Sequence, residues 1–365
     1  MGQSPESTSY NSDKQGVPFY QGNADFGAVY PNPRIWCNKP IKLAKENDIL
    51  ISVRAPVGAL NFSKEECCIG RGLAAITLDS NDFLLEFIYW SLRTGVKELQ
   101  SKSTGSTFKS INKKTLEEVR IPKISLKEQK DIIRNLTLLT NILAKYKHEI
   151  VFLDELVKAR FVEMFGDPVE NTMNWPEIFI DDKCFVTKLA GFEYTQYIDY
   201  EESGEVVMVK AQNVKNGKLN RKDLSFISKK VSDSLPRSQL APGDVVMTYV
   251  GANIGDVAVI DDVYKYHLAP NVAKIRPNAE VYNSIYFMYM LMLLNIYIVK
   301  NSADTAKAAL GMEKIRKLKV FIPPLELQNQ FASFVEEIDK SRSRIQKSLE
   351  ASQELFDSLM QEYFG

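Results

Sequence analysis

The chain has 365 residues, 45% hydrophobic and 25% charged, and its 46 basic side chains balance 46 acidic ones. Such a length holds roughly two to three domains with cores of their own. Charge balance argues against a globally basic nucleic-acid binder and leaves only local patches to face phosphate. The longest apolar run, Ile285–Val299, carries Asn295 and falls short of a membrane span. No basic or apolar segment opens the chain, and Glu6 stands where a myristoylation signal needs a hydroxyl, so a cytoplasmic location is expected. Cys37, Cys67, Cys68 and Cys184 lack metal-ligand spacing and read as reduced thiols.

From Met1 to about Ile124, turn residues punctuate short β-like runs, Ile49–Val53 and Leu73–Leu78. A helix is predicted from Asp82, as cap, to about Leu99. Ile121-Pro122 then marks the start of a long helix, with Ser125 and Glu128 as a capping box. Its apolar residues, Ile132, Leu136, Leu139, Leu143, Tyr146, Ile150, Leu153 and Val157, alternate by four and three, the spacing of a coiled-coil seam. Phe165-Gly166 closes it, and Asp167-Pro168 prevents continuation.

The same order returns. Strands are expected at Val206–Val209, Asp244–Val250, Val257–Ile260 and Ala273–Arg276, and a buried helix at about Ser284–Val299. Ile322-Pro323, Leu327 and Gln330 answer Ile121-Pro122, Leu126 and Gln129. The last helix places Phe331, Phe334, Ile338, Ser341, Ile345, Ser348, Ser352, Leu355 and Leu359 on its seam and ends at Phe364-Gly365. A seam with three serines would be marginal alone, so it needs the first helix as partner. Each helix runs about 60 Å for roughly forty residues. A repeat with a shift of about two hundred residues is too long for a solenoid and implies two copies of a domain-plus-helix module.

No catalytic constellation stands out. His148 reads as a solvent-facing helix residue and His267 as a loop or strand residue; no phosphate-cradling or dinucleotide glycine pattern occurs. Pro323-Pro324 stands where an adenine methyltransferase signature would differ. The loops are richer. Ser103, Thr104, Ser106 and Lys109 combine hydroxyls, a nearby glycine and a cation, the groups that phosphate contact requires, although a surface loop would look alike. Lys307 holds the corresponding place in the second copy. Lys210, Gln212 and Asn213 open a basic run reaching Lys230, which can face DNA or merely be a solvated lysine loop. Arg54 and Arg71 lie beside glycines and can grip guanine or brace a loop; Tyr249 and Asn253 lie at the equivalent turn of the second copy.

Asp48–Gly58 with Gly70-Arg71-Gly72, the two Ile-Pro elements with their glutamines, and the paired Phe-Gly helix ends resemble the specificity (S) subunit of type I restriction–modification systems. The resemblance covers essentially the whole chain. It implies an α+β protein with a pseudo-twofold internal repeat: target-recognition domains at 1–124 and 167–324, and helices at 125–166 and 325–365 packed as an antiparallel coiled coil. It further implies a non-catalytic subunit that reads a bipartite site on double-stranded DNA. Two modification subunits using S-adenosylmethionine, and two restriction subunits using ATP and Mg, would be its partners, with no cofactor of its own. One departure stands out: the second copy passes through Trp175-Pro176 and Ile178 before Gly191, whereas the first begins near the equivalent of that glycine. An opening strand is therefore expected to be missing from the first domain, as a misplaced start, a truncated allele or a rearranged gene would produce. The rival expectations are an assembly scaffold that contacts only protein, and an enzyme whose site is assembled from separate loops.

Overall fold

Strands stand where short β-branched runs are bounded by Gly, Pro and Asn. The computed structural model describes residues 1–101, 103, 110–302 and 310–365. Two compact units result, Met1–Lys147 with Lys347–Gly365, and His148–Gln346.

In the first unit the strands are β1 (Tyr10–Asn11), β2 (Val17–Tyr20), β3 (Trp36–Cys37), β4 (Leu43–Ala44), β5 (Ile49–Ser52), β6 (Leu60–Phe62), β7 (Cys67–Ile69) and β8 (Leu73–Ile76). They make a sheet in the order β1-β3-β2-β7-β4 and an antiparallel sheet β6-β5-β8. Two helices, α1 (Leu85–Thr94) and α2 (Val96–Ser101), replace the single helix expected from Asp82 to Leu99, with Gly95 between them. Asp82 is not the cap. Leu84 is, and its N–H is satisfied instead by Gln129 Oε1 at 2.8 Å. A short α3 (Lys113–Glu117) leads to the long α4, Leu126–Phe165, 40 residues. The capping box forms as expected: Glu128 Oε2 accepts from Ser125 N at 2.9 Å, and Ser125 Oγ accepts from Glu128 N at 3.3 Å. Ser125 Oγ also donates to Glu128 Oε2 at 2.6 Å, and this bond first, then the one from Ser125 N, holds the Glu128 carboxyl below its usual range. Gly166, with φ +80°, ends the helix in the left-handed region.

The second unit holds β9 (Glu177–Phe179), α5 (Ile180–Lys183), β10 (Cys184–Lys188), α6 (Gly191–Tyr197), β11 (Val206–Val209), β12 (Val214–Lys215), β13 (Lys218–Leu219), β14 (Phe226–Ile227), α7 (Lys229–Ser234), β15 (Gln239–Leu240), β16 (Val245–Thr248), β17 (Val257–Val259), β18 (Lys265–Leu268), β19 (Val272–Pro277), α8 (Ser284–Ser302), α9 (Met312–Arg316) and β20 (Lys319–Phe321). Its main sheets run β10-β19-β16-β17 and β14-β11-β18-β15, with β9 paired to β20. Helix α8 buries Tyr286, Phe287, Met290 and Leu291 fully, which explains its apolar sequence without a membrane. No helix among the described residues is long and apolar enough to cross one. The final helix, α10, is Leu325–Phe364, again 40 residues.

Within the first unit, Ile132, Leu136, Leu139 and Leu143 of α4 form one core with Phe356 and Met360 of α10. Within the second, Val157, Phe161 and Phe165 pack with Phe331 and Val335. The start of one helix meets the end of the other in both units, so the pair is antiparallel. Full burial of each such ring contributes about 1.5–3 kcal/mol. Ile150, Phe334, Ile338 and Ile345 are half-buried rather than enclosed.

The second seam is shifted from expectation at every other position. Val335, Arg342 and Phe356 are buried and Leu349 half-buried, while Ser348 is exposed and Leu355 is 50% exposed. Intervals of four come first, as in α4. The neighbouring pairs Phe334/Val335, Ser348/Leu349 and Leu355/Phe356 make both registers readable, and the chain takes the one that turns Leu349 and Phe356 inward. That choice also buries Arg342, whose guanidinium bonds Asp154 and Asp339.

Glutamine pairing also differs. Gln129 and Gln328 are each 0% exposed. Gln129 Nε2 donates to Asp82 O at 2.8 Å and Ile124 O at 3.0 Å. Gln328 accepts from Asn283 N at 2.9 Å and donates to Val281 O at 3.0 Å and Pro323 O at 2.8 Å. Gln330 is exposed, so the true counterpart of Gln129 is Gln328. Proline spacing misleads here, because the second copy reaches its helix in fewer residues after Ile-Pro.

Candidate nucleic-acid interface

Three segments of the first unit meet beyond the end of β5. Val53 N donates to Gly72 O at 2.9 Å, and Ile111 N donates to Val53 O at 3.0 Å. Gly58, with φ +93°, turns the loop back so that its N–H reaches Ser52 O at 2.9 Å. This junction carries Arg54 and Arg71 on adjacent exposed turns. Arg54 forms an isolated bridge with Ser110, and Arg71 N is held by Ser4 Oγ at 3.3 Å. Neither guanidinium makes an ion pair among the described residues, so both are available to an anionic partner. Ser103 is half-exposed at the edge, its Oγ donating to Gln100 O at 2.6 Å. Thr104, Ser106 and Lys109 lie outside the described residues.

The second unit builds the same junction. Tyr249 N donates to Asn271 O at 3.0 Å, Leu310 N to Tyr249 O at 2.8 Å, and Gly255 N to Thr248 O at 2.8 Å. Gly255 has φ +83°, and Asn271, at φ +68°, stands where the first unit has Gly72. The side chains are different. Val250 takes the place of Arg54, and Asn253 is exposed. Burial pushes the half-exposed Tyr249 phenol up. Lys188 Nζ sits 5.5 Å from the Tyr249 ring, a cation–π pair that joins the end of β10 to the loop. Sixty-odd positions separate them, roughly, and no sequence signal links them. Lys307 lies outside the described residues.

A second polar cluster surrounds Lys210, whose Nζ donates to Ser225 Oγ at 2.7 Å and lies 5.5 Å from the Tyr200 ring. Burial, then the hydrogen bond with Tyr194, pushes the Tyr200 phenol up to about 12. Tyr200 was not expected from sequence. Gln212 is exposed, but Asn213 is only 2% exposed. Its Oδ1 accepts from Lys210 N at 3.1 Å and its Nδ2 donates to Asn220 O at 3.0 Å, so it braces the turn and cannot touch DNA. The basic run is also less free than its composition suggests. Lys218 pairs with Asp339 at 3.4 Å, Arg221 with Asp261 and Lys229 with Asp233. Lys215, Lys222 and Lys230 remain exposed.

His148 is exposed on α4, while His267 is fully buried in β18, where burial lowers its pKa. Among the described residues no group of His, Cys, Asp or Glu could hold a metal ion. What the junctions offer is hydrogen-bonding and cationic side chains on turns fixed by backbone bonds, an arrangement able to grip phosphate and base edges.

A family model described as type I restriction modification DNA specificity domain matches residues 5–151 and 174–353. The type I restriction enzyme EcoBI specificity subunit of Escherichia coli is 19% identical over 388 residues, covering 94% of this chain and 77% of that one. A putative type I restriction enzyme MjaX specificity subunit of Methanocaldococcus jannaschii is 45% identical over 143 residues, which is 39% of this chain but only 34% of the relative. The crystal structure of a type I restriction–modification S subunit from Mycoplasma genitalium is alike in fold, with a TM-score of 0.56 and 16% identity over 100% of this chain and 92% of that one.

Proposed function

Because the chain belongs to the type I restriction modification DNA specificity family, we propose that it is the DNA-reading subunit of such a system, with no catalytic step of its own. Each unit reads one half of a bipartite site on double-stranded DNA. Modification subunits, with S-adenosylmethionine, and restriction subunits, with ATP and Mg, supply the chemistry once assembled on it, and the chain itself needs no cofactor.

The carrying observation is the repeated loop junction with unlike side chains. Backbone bonds at Val53, Gly72 and Ile111 recur at Tyr249, Asn271 and Leu310. The exposed groups change from Arg54 and Arg71 to Lys188 and Asn253. A shared frame with different side chains is what two different half-sites require. Arg54 and Arg71 read bases in one half; Lys188, Gln212 and Asn253 act in the other, with Tyr249 positioning Lys188. Ser103, Thr104, Ser106, Lys109 and Lys307 contact phosphate.

Methylome sequencing of the host with and without this gene tests the reading. Loss of one bipartite methylated motif is expected, and Arg54→Ala should relax one half of the motif only. An unchanged methylome in a host with the partner subunits would refute it. Lys109→Ala or Lys307→Ala should weaken binding to all sequences and reduce the salt slope by about one. Pairing of Lys218, Arg221 and Lys229 with acids favours a second reading, a scaffold that contacts protein only. DNA binding by the assembled complex that Arg54→Ala leaves untouched would select that one.

A further inference from the structure

At one end of the sheet β10-β19-β16-β17, the second unit presents an aromatic ring that its core does not use. Strands β10 and β16 both run antiparallel to β19, so Lys188 and Thr248 finish at the same end, opposite Ala273 and Val272. The chain leaves Lys188 through the buried Leu189 and enters α6 at Gly191. The first turn of α6 is pinned. Ala190 N donates to Glu193 Oε2 at 3.0 Å, Tyr194 N donates to Ala190 O at 3.0 Å, and Arg237 lies 3.8 Å from the same carboxylate oxygen. Tyr194 and Ile198 pack against the core that contains Val206 and Val246. Phe192 does not join them. At 66% it is the most exposed large apolar side chain among the described residues.

The backbone at this end is bare. Gly191, Gly251 and Gly311 are all exposed, and a Cβ added to any of them would meet no atom within 4 Å among the described residues. Gly311 follows Leu310, whose N–H is held by Tyr249 O, and Gly251 comes two residues after Tyr249, so both belong to the loop junction. Gly251, at φ +105°, has a backbone that favours glycine. Gly311, at φ −60°, and Gly191, inside α6, would accept a side chain without strain. Neither packing nor conformation calls for glycine at these two, whereas close approach by something outside the chain does.

We infer that Phe192 is an apolar wedge that enters the base stack of the DNA half-site read by the second unit. The glycines let the backbone close onto the duplex, while Lys188 and Asn253 hold phosphate and base edge from the same sheet end. Such a wedge unstacks one base step and kinks the duplex by about 20–90°. The pinned turn presents the ring already ordered, so little freedom is lost on binding. A protein partner would cover a wider apolar core; one ring beside a cation and an amide suits a polar, cationic DNA contact. Pyrimidine–purine steps open most readily, so the wedge selects such a step without a hydrogen bond to it. This inference rests on the DNA-reading assignment and adds to it a deformation and the residue that causes it.

The test uses the chain in complex with its modification subunits, and duplexes carrying the methylated motif. Energy transfer between end labels reports bending. A fluorescent base, 2-aminopurine, placed along the half that Arg54→Ala leaves intact reports unstacking. Wild type should bend the duplex and raise the fluorescence at one step of that half. Phe192→Ala should abolish both and weaken specific binding about tenfold, and Phe192→Leu, which keeps an apolar wedge, should restore much of each. Gly191→Leu should also abolish bending and unstacking, while its urea midpoint stays at or above the wild-type value because leucine favours helix. Specific binding with neither bend nor unstacking in that half would overturn the wedge alone, as would a Phe192→Ala complex that bends and unstacks like wild type. Absence of specific binding by the wild-type complex would overturn the DNA-reading assignment and the wedge with it.

Discussion

Replacing Gln328 by alanine removes one acceptor and two donors that satisfy Asn283 N, Val281 O and Pro323 O in a site with no solvent access. Each such bond contributes a net of roughly 0.5–1.5 kcal/mol, and a buried backbone group left without a partner costs about 1–3 kcal/mol. Three bonds with partial rescue by water give about 3 kcal/mol, or about a hundredfold rise in opening, since about 1.4 kcal/mol is tenfold. The loss should be local, because the bonds tie the start of α10 to the loop before α8. Native-state hydrogen exchange reads it: peptides covering Tyr282–Phe287 should open about a hundredfold more often, with little change at Phe87–Leu92. Gln129→Ala should give the reverse pattern. Gln330→Ala, at an exposed position, should stay within about 0.5 kcal/mol of wild type. If Gln330→Ala were as damaging as Gln328→Ala, or if both units loosened equally, the reading of Gln328 as the tie between the start of α10 and the loop before α8 would fail.

Arg342→Leu restores the residue that α4 has in the same place, Leu143, and frees two half-exposed carboxylates. Its urea midpoint should be unchanged or higher, whereas the Asp154→Ala/Asp339→Ala double variant, which strands the buried cation, should lose about 3 kcal/mol. Lys274 is 2% exposed and burial lowers its pKa to about 8, below the unfolded value of about 10.4. The unfolded chain then binds more protons between these values, so wild type should gain stability relative to Lys274→Met as pH rises from about 8 to 10.4, by at most about 1.4 kcal/mol per unit. Parallel denaturation curves across that window check the sign. Adding one heptad to both long helices, after Lys147 and after Gln346, lengthens each by about 10 Å and keeps the seam in register. Methylation mapping should then show a changed half-site spacing with the half-site sequences unaltered.

Legibility in the sequence followed the strength of the local pattern. Helix ends were plain because Ser125, Glu128 and Gly166 act through their immediate neighbours. The first seam was plain because α4 has one apolar choice at each turn. The second was not, since adjacent apolar residues such as Leu355 and Phe356 support either register until the partner helix is in place. Arg54 and Arg71 were singled out from flanking glycines, but only folding brings them to one junction through Val53 and Gly72. Asn213 looked like a recognition residue because polar loop residues look alike in sequence; its side-chain hydrogen bonds with Lys210 N, Asn220 O and Lys222 O form only once the turn has closed around it. Lys188 was missed because its partner, Tyr249, is distant in the chain.

The second unit is one uninterrupted stretch, His148–Gln346, set within the two pieces of the first. For the gene, this makes half of the protein a cassette. A double exchange with crossovers inside the two helices would replace that cassette whole and leave Ile132 and Leu136 with their own Phe356 and Met360. A single crossover would instead pair the start of one parent's core with the end of another's. Lineages that shuffle such genes should therefore keep junctions in pairs, and the helix positions near Lys147 and Gln346 are where matched sequence would be under the strongest constraint.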